Sequence, residues 1–194
     1  MTSQNEFLNN IISALAKSEI PYMVSGSFAS SFHGRPRATN DVDIVIDPAP
    51  NQFDAFVELL KVGYYVNADS ARESLSKRTM FNVIDIEAGW KVDLIIRKDR
   101  PYSAGEFERK RKFPIEGSYL WVVSPEDTIL SKLEWSKGHQ SQQQFQDALG
   151  VAVVQAGRLD IQYLQRWAKE LGVMNELTKL LDTARVNKAR EQKN

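Results

Sequence analysis

The chain has 194 residues, 42% hydrophobic and 26% charged, with basic and acidic residues equal in number. That is the balance of an ordinary soluble globular protein, with no global pull toward nucleic acid. No apolar run approaches the about 20 residues that span a bilayer, and the opening MTSQNEFLNN lacks a basic start followed by an apolar stretch, so a cytoplasmic protein without membrane contact is expected.

Residues 3–18 predict a helix with Phe7, Leu8, Ile11, Ile12 and Leu15 on one side, ended by Pro21. YMVSG (22–26) predicts a short strand, and SFASSFHG (27–34) a short helix that stops at Gly34. DVDIVID (41–47) alternates charged and apolar residues, the pattern of a strand with two different faces. Phe53, Phe56, Val57 and Leu60 mark a helix over 51–62. MFNVIDIE (80–87) and WKVDLIIR (90–97) read as a hairpin, with Gly89 supplying the positive φ of its turn. FPIEGSYLWVVS (113–124) reads as a second hairpin around Gly117. SPED then opens a helical region, with Ser124 as N-cap and Pro125 in the first turn. Helices are expected at 124–137, 141–156, 160–171 and 173–190, the third carrying the stripe Ile161, Leu164, Ala168 and Leu171. The expected class is α+β: a mixed sheet with flanking helices over residues 1–123, then a helical region over 124–194.

Zero cysteines exclude thiolate metal sites, and two histidines argue against a multi-histidine zinc site. Any metal should therefore rest on carboxylates, which selects Mg2+ or Mn2+. Asp41 and Asp43 are two apart on a strand and so project to one face. Asp93 interrupts a second apolar strand. Side-by-side carboxylates stay ionised when a cation lies between them or water surrounds them. Three carboxylates on neighbouring strands suit two metal ions about 3.5–4 Å apart, the clamp of phosphoryl and nucleotidyl transfer. Gly26-Ser27 falls between a strand and a helix, where free N–H groups attract phosphate oxygens and the Ser27 hydroxyl can donate. Arg37 lies on the path into the aspartate strand and reads either as a charge that faces phosphate oxygens or as a surface arginine in a loop fixed by Pro36.

GSFASSFHGRPRATNDVDI, together with KVDLII, resembles the polymerase-β-type nucleotidyltransferase superfamily. SPEDTILSKLEW and FQDALGVAVVQAGRLDIQYLQRWAKELG resemble its small bacterial branch, similar to the AbiEii-like nucleotidyltransferases of toxin–antitoxin systems. The resemblance covers about residues 20–172. It implies the minimal nucleotidyltransferase sheet, with Gly26 and Ser27 on a nucleoside triphosphate and Asp41, Asp43 and Asp93 on the metals. Asp93 would also help deprotonate the attacking hydroxyl. It further implies Lys132 on the phosphates and a required role for Asp147. Where that branch carries arginines, this chain has QSQQQFQD. An antitoxin partner is implied as a possibility.

The acceptor stays open among an RNA end (tRNA especially), a protein hydroxyl and a small molecule. The segment 97–112, with seven basic and three acidic residues, leans toward RNA or is a solvated loop. Two rival functions are a DxD glycosyltransferase and a non-catalytic nucleotide- or partner-binding module. Asp85 is a candidate accessory acid, Asp47 is expected at the strand end, and Thr39 is expected to cap a turn. Trp90, Trp121, Trp135 and Trp167 are expected in the core.

Overall fold

The computed structural model describes residues 3–39, 41–115, 118–139 and 141–191. The chain divides into two compact units, Met1–Ser25 with Thr39–Val122 and Gly26–Ala38 with Val123–Asn194.

The first unit holds a six-stranded mixed sheet. Its strands are β1 (Tyr22–Ser25), β2 (Asp41–Ile46), β3 (Met80–Ile84), β4 (Lys91–Ile96), β5 (Arg111–Ile115) and β6 (Ser118–Val122), in the spatial order β3-β4-β2-β1-β6-β5. β2 runs antiparallel to β1 and parallel to β4. The β3–β4 hairpin turns at Gly89, whose φ of 73° is the value its position was expected to need. Gly117, the expected turn of the second hairpin, lies outside the described residues.

Register explains the alternation in the sequence. Phe81 pairs with Leu94, Leu94 with Ile44, and Ile44 with Val24, so these side chains share one face. All four are buried. α3 (Pro50–Lys61) covers this face, with the Phe53 ring edge-on to Phe81 at 5.6 Å. The neighbouring row is polar. Asn82 pairs with Asp93, Asp93 with Asp43, and Asp43 with Ser25. The carboxylates thus lie on the face opposite the one α3 covers.

α1 (Gln4–Lys17) starts in a capping box between Ser3 and Glu6, and the whole expected apolar side is buried. Two further helices carry no expectation from periodicity: α4 (Ala68–Lys77) and α5 (Pro101–Glu108). α5 replaces the loop reading of the middle of segment 97–112, with Pro101 in its first turn.

The second unit is helical: α2 (Gly26–His33), α6 (Pro125–His139), α7 (Gln142–Val154), α8 (Ile161–Glu170) and α9 (Met174–Glu191). The Ser124 hydroxyl accepts from the Asp127 N–H and so caps α6 as expected. Asp127 is fully buried and accepts from Tyr163 Oη at 2.7 Å, which joins α6 to α8. Of the expected α8 stripe, Leu164 and Ala168 are buried while Ile161 is exposed. Among the described residues no helix is long and apolar enough to cross a membrane.

α2 is held against α7 by a close backbone approach. A Cβ on Gly34 would lie 2.7 Å from Val151 N and 2.9 Å from Gly150 C. Backbone atoms cannot step aside as a flexible side chain can. Gly34→Ala should therefore destabilise the protein by about 1–3 kcal/mol, read as a lower urea midpoint at unchanged m-value.

Candidate functional site

Two clusters gather the residues singled out above, one in each unit. The first lies on the sheet. Asp43 and Asp93 are register partners on parallel β2 and β4, and Asp41 is the partner of Lys91 one row away. Asp93 is buried and accepts from Asn82 Nδ2 at 2.5 Å. Lys91 Nζ lies 3.2 Å from Asp93 Oδ2 and 3.5 Å from Asp41 Oδ2. Burial alone would lower the Lys91 pKa. The hydrogen bond to Asp93 and the charges of Asp93 and Asp41 outweigh it and raise the value.

Among the described residues no three carboxylate or histidine side chains close into a metal cage. The donor set nevertheless fits a hard divalent ion in kind: three carboxylates on adjacent strands, two of them already drawn onto one cation.

The second cluster joins Ser27, Arg37, Lys132 and Asp147. Arg37 grips Asp147 with a two-pronged contact, Nε to Oδ1 and Nη2 to Oδ2, both 3.0 Å. Lys132 Nζ donates to Asp147 Oδ2 at 2.9 Å. The Ser27 hydroxyl oxygen accepts from Arg37 Nη2 at 2.6 Å and from Lys132 Nζ at 3.4 Å. The two cationic donors thus occupy the acceptor side of the Ser27 hydroxyl. Gly26 opens α2 at a φ of 60°, a backbone that favours glycine.

Sequence reasoning did not assign Gln143, which donates to Asp147 Oδ1 at 2.9 Å. Its signal was the i, i+4 spacing to Asp147 on one helix face. The glutamine-rich stretch thus supports the same carboxylate. Beside this cluster a cavity of about 240 Å³ is bordered by Arg35, Arg37, Gln143, Gln146, Asp147 and Asn187, among others.

Other candidates have structural posts. Asp85 Oδ1 accepts from the N–H groups of Glu87 and Ala88 and closes the β3–β4 turn, which accounts for its burial without an accessory acid role. Asp47 pairs with Arg97 at the strand end. Thr39 Oγ1 donates to the Asp41 carbonyl, the turn contact expected of it. His33 Nε2 lies 2.7 Å from the Val123 carbonyl oxygen. The tryptophans depart from the core expectation: Trp90, Trp121 and Trp167 are half-buried and Trp135 is exposed. Trp135 sits two residues past buried Leu133, which on a helix is the opposite side.

Among solved structures, an antigenic nucleotidyltransferase-like protein from Paracoccidioides brasiliensis matches 89% of each chain at a TM-score of 0.55 and 18% identity. The lincosamide antibiotic adenylyltransferase LnuA, solved with lincomycin, matches over 76% of this chain and 95% of its own, at a TM-score of 0.52 and 13% identity. ANT(2")-Ia, solved with adenylyl-2"-tobramycin, matches over 93% of this chain and 96% of its own, at 0.52 and 14%. This chain shares the fold of solved nucleotidyltransferases. No protein-family model and no curated protein sequence matches it.

Burial opposes ionisation of Asp147, but hydrogen bonds from Arg37, Lys132 and Gln143 outweigh it and hold the pKa below the usual carboxylate value. The native state then binds fewer protons here than the unfolded chain near the unfolded pKa. The stabilisation is complete above about pH 4 and is lost as pH falls through the depressed native value. Asp147→Asn, which leaves Lys132 buried without its carboxylate, should cost about 3 kcal/mol at pH 7. The gap to wild type should narrow in unfolding experiments near pH 3.

Proposed function

We propose that the chain is a metal-dependent nucleotidyltransferase that moves NMP from a nucleoside triphosphate to an acceptor hydroxyl and releases pyrophosphate. The observation that carries this is the register. Asn82, Asp93, Asp43 and Ser25 form one polar row across four strands, with Asp41 in the next row on the same face. Gly26-Ser27 follows Ser25 directly in the chain and opens a helix. A fold shared with nucleotidyltransferases makes that row a natural seat for the chemistry.

Asp41, Asp43 and Asp93 would hold the divalent ions, Mg2+ or Mn2+. When bound, the metal supplies a lowered pKa at the acceptor hydroxyl and charge neutralisation on the departing pyrophosphate. The Gly26 N–H and the Ser27 O–H bind the β- and γ-phosphates. Arg37 and Lys132 add positive charge there, and Asp147 orients both cations. The acceptor oxygen attacks the α-phosphorus in line. Its new bond to phosphorus forms as the bond to the β-phosphate oxygen breaks, and its proton passes to the Asp93 carboxylate.

A hydroxylated small molecule is the acceptor we favour. Two of the fold neighbours are named for a lincosamide and for adenylyl-tobramycin. The basic stretch, which would recommend RNA, spends part of its charge internally. Lys110 Nζ lies 3.9 Å from the Phe107 ring centroid, and Lys112 Nζ 4.2 Å from that of Tyr119. RNA or tRNA ends and protein hydroxyls are the other arms of the test, and control by an antitoxin partner belongs with the toxin-type resemblance of the second half. A second reading, a nucleotide-binding module without turnover, draws on the engagement of Asp41 and Asp93 by Lys91. The DxD glycosyltransferase reading calls for neither Gly26-Ser27 nor Asp93.

Each α-labelled NTP, with Mg2+ or Mn2+, should be offered to the RNA, protein and small-molecule pools of a bacterial lysate. We expect label in the small-molecule pool and at least a hundredfold less with Asp43→Asn, its melting temperature being unchanged within a few degrees. Label in RNA or protein would reassign the acceptor. An Asp43→Asn rate within a few-fold of wild type would remove the metal role from that residue.

A further inference from the structure

Lys91 has no part in the scheme above, yet it stands beside Asp41 in the row next to Asp43 and Asp93. It precedes Asp93 by two residues on β4 and is the register partner of Asp41, so all three side chains leave the same face of the sheet. A lysine at an ordinary strand position extends its stem and keeps the ammonium in water. Lys91 folds onto its neighbours instead. Its side chain is 33% exposed, and its Nζ lies between Asp93 Oδ2 and Asp41 Oδ2 at 3.2 and 3.5 Å. Asn82 holds the other Asp93 oxygen, which fixes the carboxylate that Lys91 engages.

With Lys91 among them, Asp41, Asp43 and Asp93 carry two net negative charges, the charge that one divalent ion cancels. Without it they carry three.

We propose that Lys91 is a resident counter-cation that competes with the divalent ion for Asp41 and Asp93. It keeps the metal affinity of the nucleotide-free chain low, so that metal binds well only when a triphosphate brings further negative charge. This rests on the carboxylates being the metal site, as proposed above. The Lys91 ammonium, within 3.5 Å of both carboxylates, repels any further cation that approaches the same oxygens. A divalent ion competing for the same oxygens is subject to the same field.

The test is Mn2+ titration of the full chain without nucleotide, followed by the electron paramagnetic resonance of free Mn2+. Lys91→Met keeps the aliphatic stem and removes the charge. It should bind Mn2+ about tenfold more tightly than wild type, and the gain should vanish in Lys91→Met/Asp93→Asn. Thermal melts give an independent readout: Lys91→Met should melt below wild type without metal and recover when Mn2+ is added. Lys91→Gln serves the same purpose if the methionine variant fails to fold. If both variants bind Mn2+ no better than wild type while Asp93→Asn binds it worse, the metal site stands and the competition is overturned. If no protein binds Mn2+, or Asp93→Asn makes no difference, the carboxylate metal site falls and this inference falls with it.

Discussion

Parallel strands lie about 4.8 Å apart, so register partners on β2 and β4 bring the Asp43 and Asp93 carboxylates side by side. Two like charges at that separation repel by about 3 kcal/mol at an effective dielectric constant of 20. A row of this kind persists in a folded sheet only with compensation. Here it comes from Lys91, which reaches two of the three aspartates, and from Asn82, which donates to Asp93. The second unit shows the same rule with the signs exchanged. There one carboxylate, Asp147, stands among Arg37, Lys132 and a glutamine amide. Each cluster therefore carries its own counter-charge. The sheet pairs its carboxylates with a lysine, and the helical unit pairs an arginine and a lysine with one carboxylate.

The rest of the fold serves to hold these groups still. The apolar face of the sheet is packed under α3 through Phe53, while Leu94 and Ile44 are fully buried beside the aspartates that alternate with them. A one-residue slip of β2 against β4 would drive carboxylates into that core, so the hydrophobic rows fix the polar row. In the helical unit, the backbone contact at Gly34 sets the approach of α2 to α7, and Arg37 bridges Ser27 and Asp147 across it.

Much of this was legible in the residues. Alternation in DVDIVID and the apolar flanks of Asp93 announced two-faced and buried strands, and the Gly-Ser step marked where β1 gives way to α2. Resemblance brought Lys132 and Asp147 into consideration, and the structure joins both to Ser27 and Arg37. What stayed hidden was what depends on register or on distant packing. Nothing in KVD says that Lys91 turns inward, because that follows from its pairing with Asp41. α4 escaped because ADSARESLSK is polar and buries little beyond Ala71 and Ser74, so it has no apolar stripe to betray it. Asp85 looked like an acid in search of work because a two-residue turn bond leaves no trace in spacing. Residue type alone assigns Trp135 to the core, whereas its helix position points it outward.

The central claim is that the aspartate row binds metal and the Gly26-Ser27 step binds triphosphate. It is tested most directly by a crystal structure with Mn2+ and an α,β-methylene analogue of a nucleoside triphosphate, which binds but cannot transfer. An anomalous Mn2+ peak is expected within coordination distance of the Asp41, Asp43 and Asp93 carboxylates, with phosphate oxygens on Ser27 Oγ and the Gly26 N–H. A Mn2+ peak away from all three aspartates, or a nucleotide whose phosphates touch neither Gly26 nor Ser27, would contradict it.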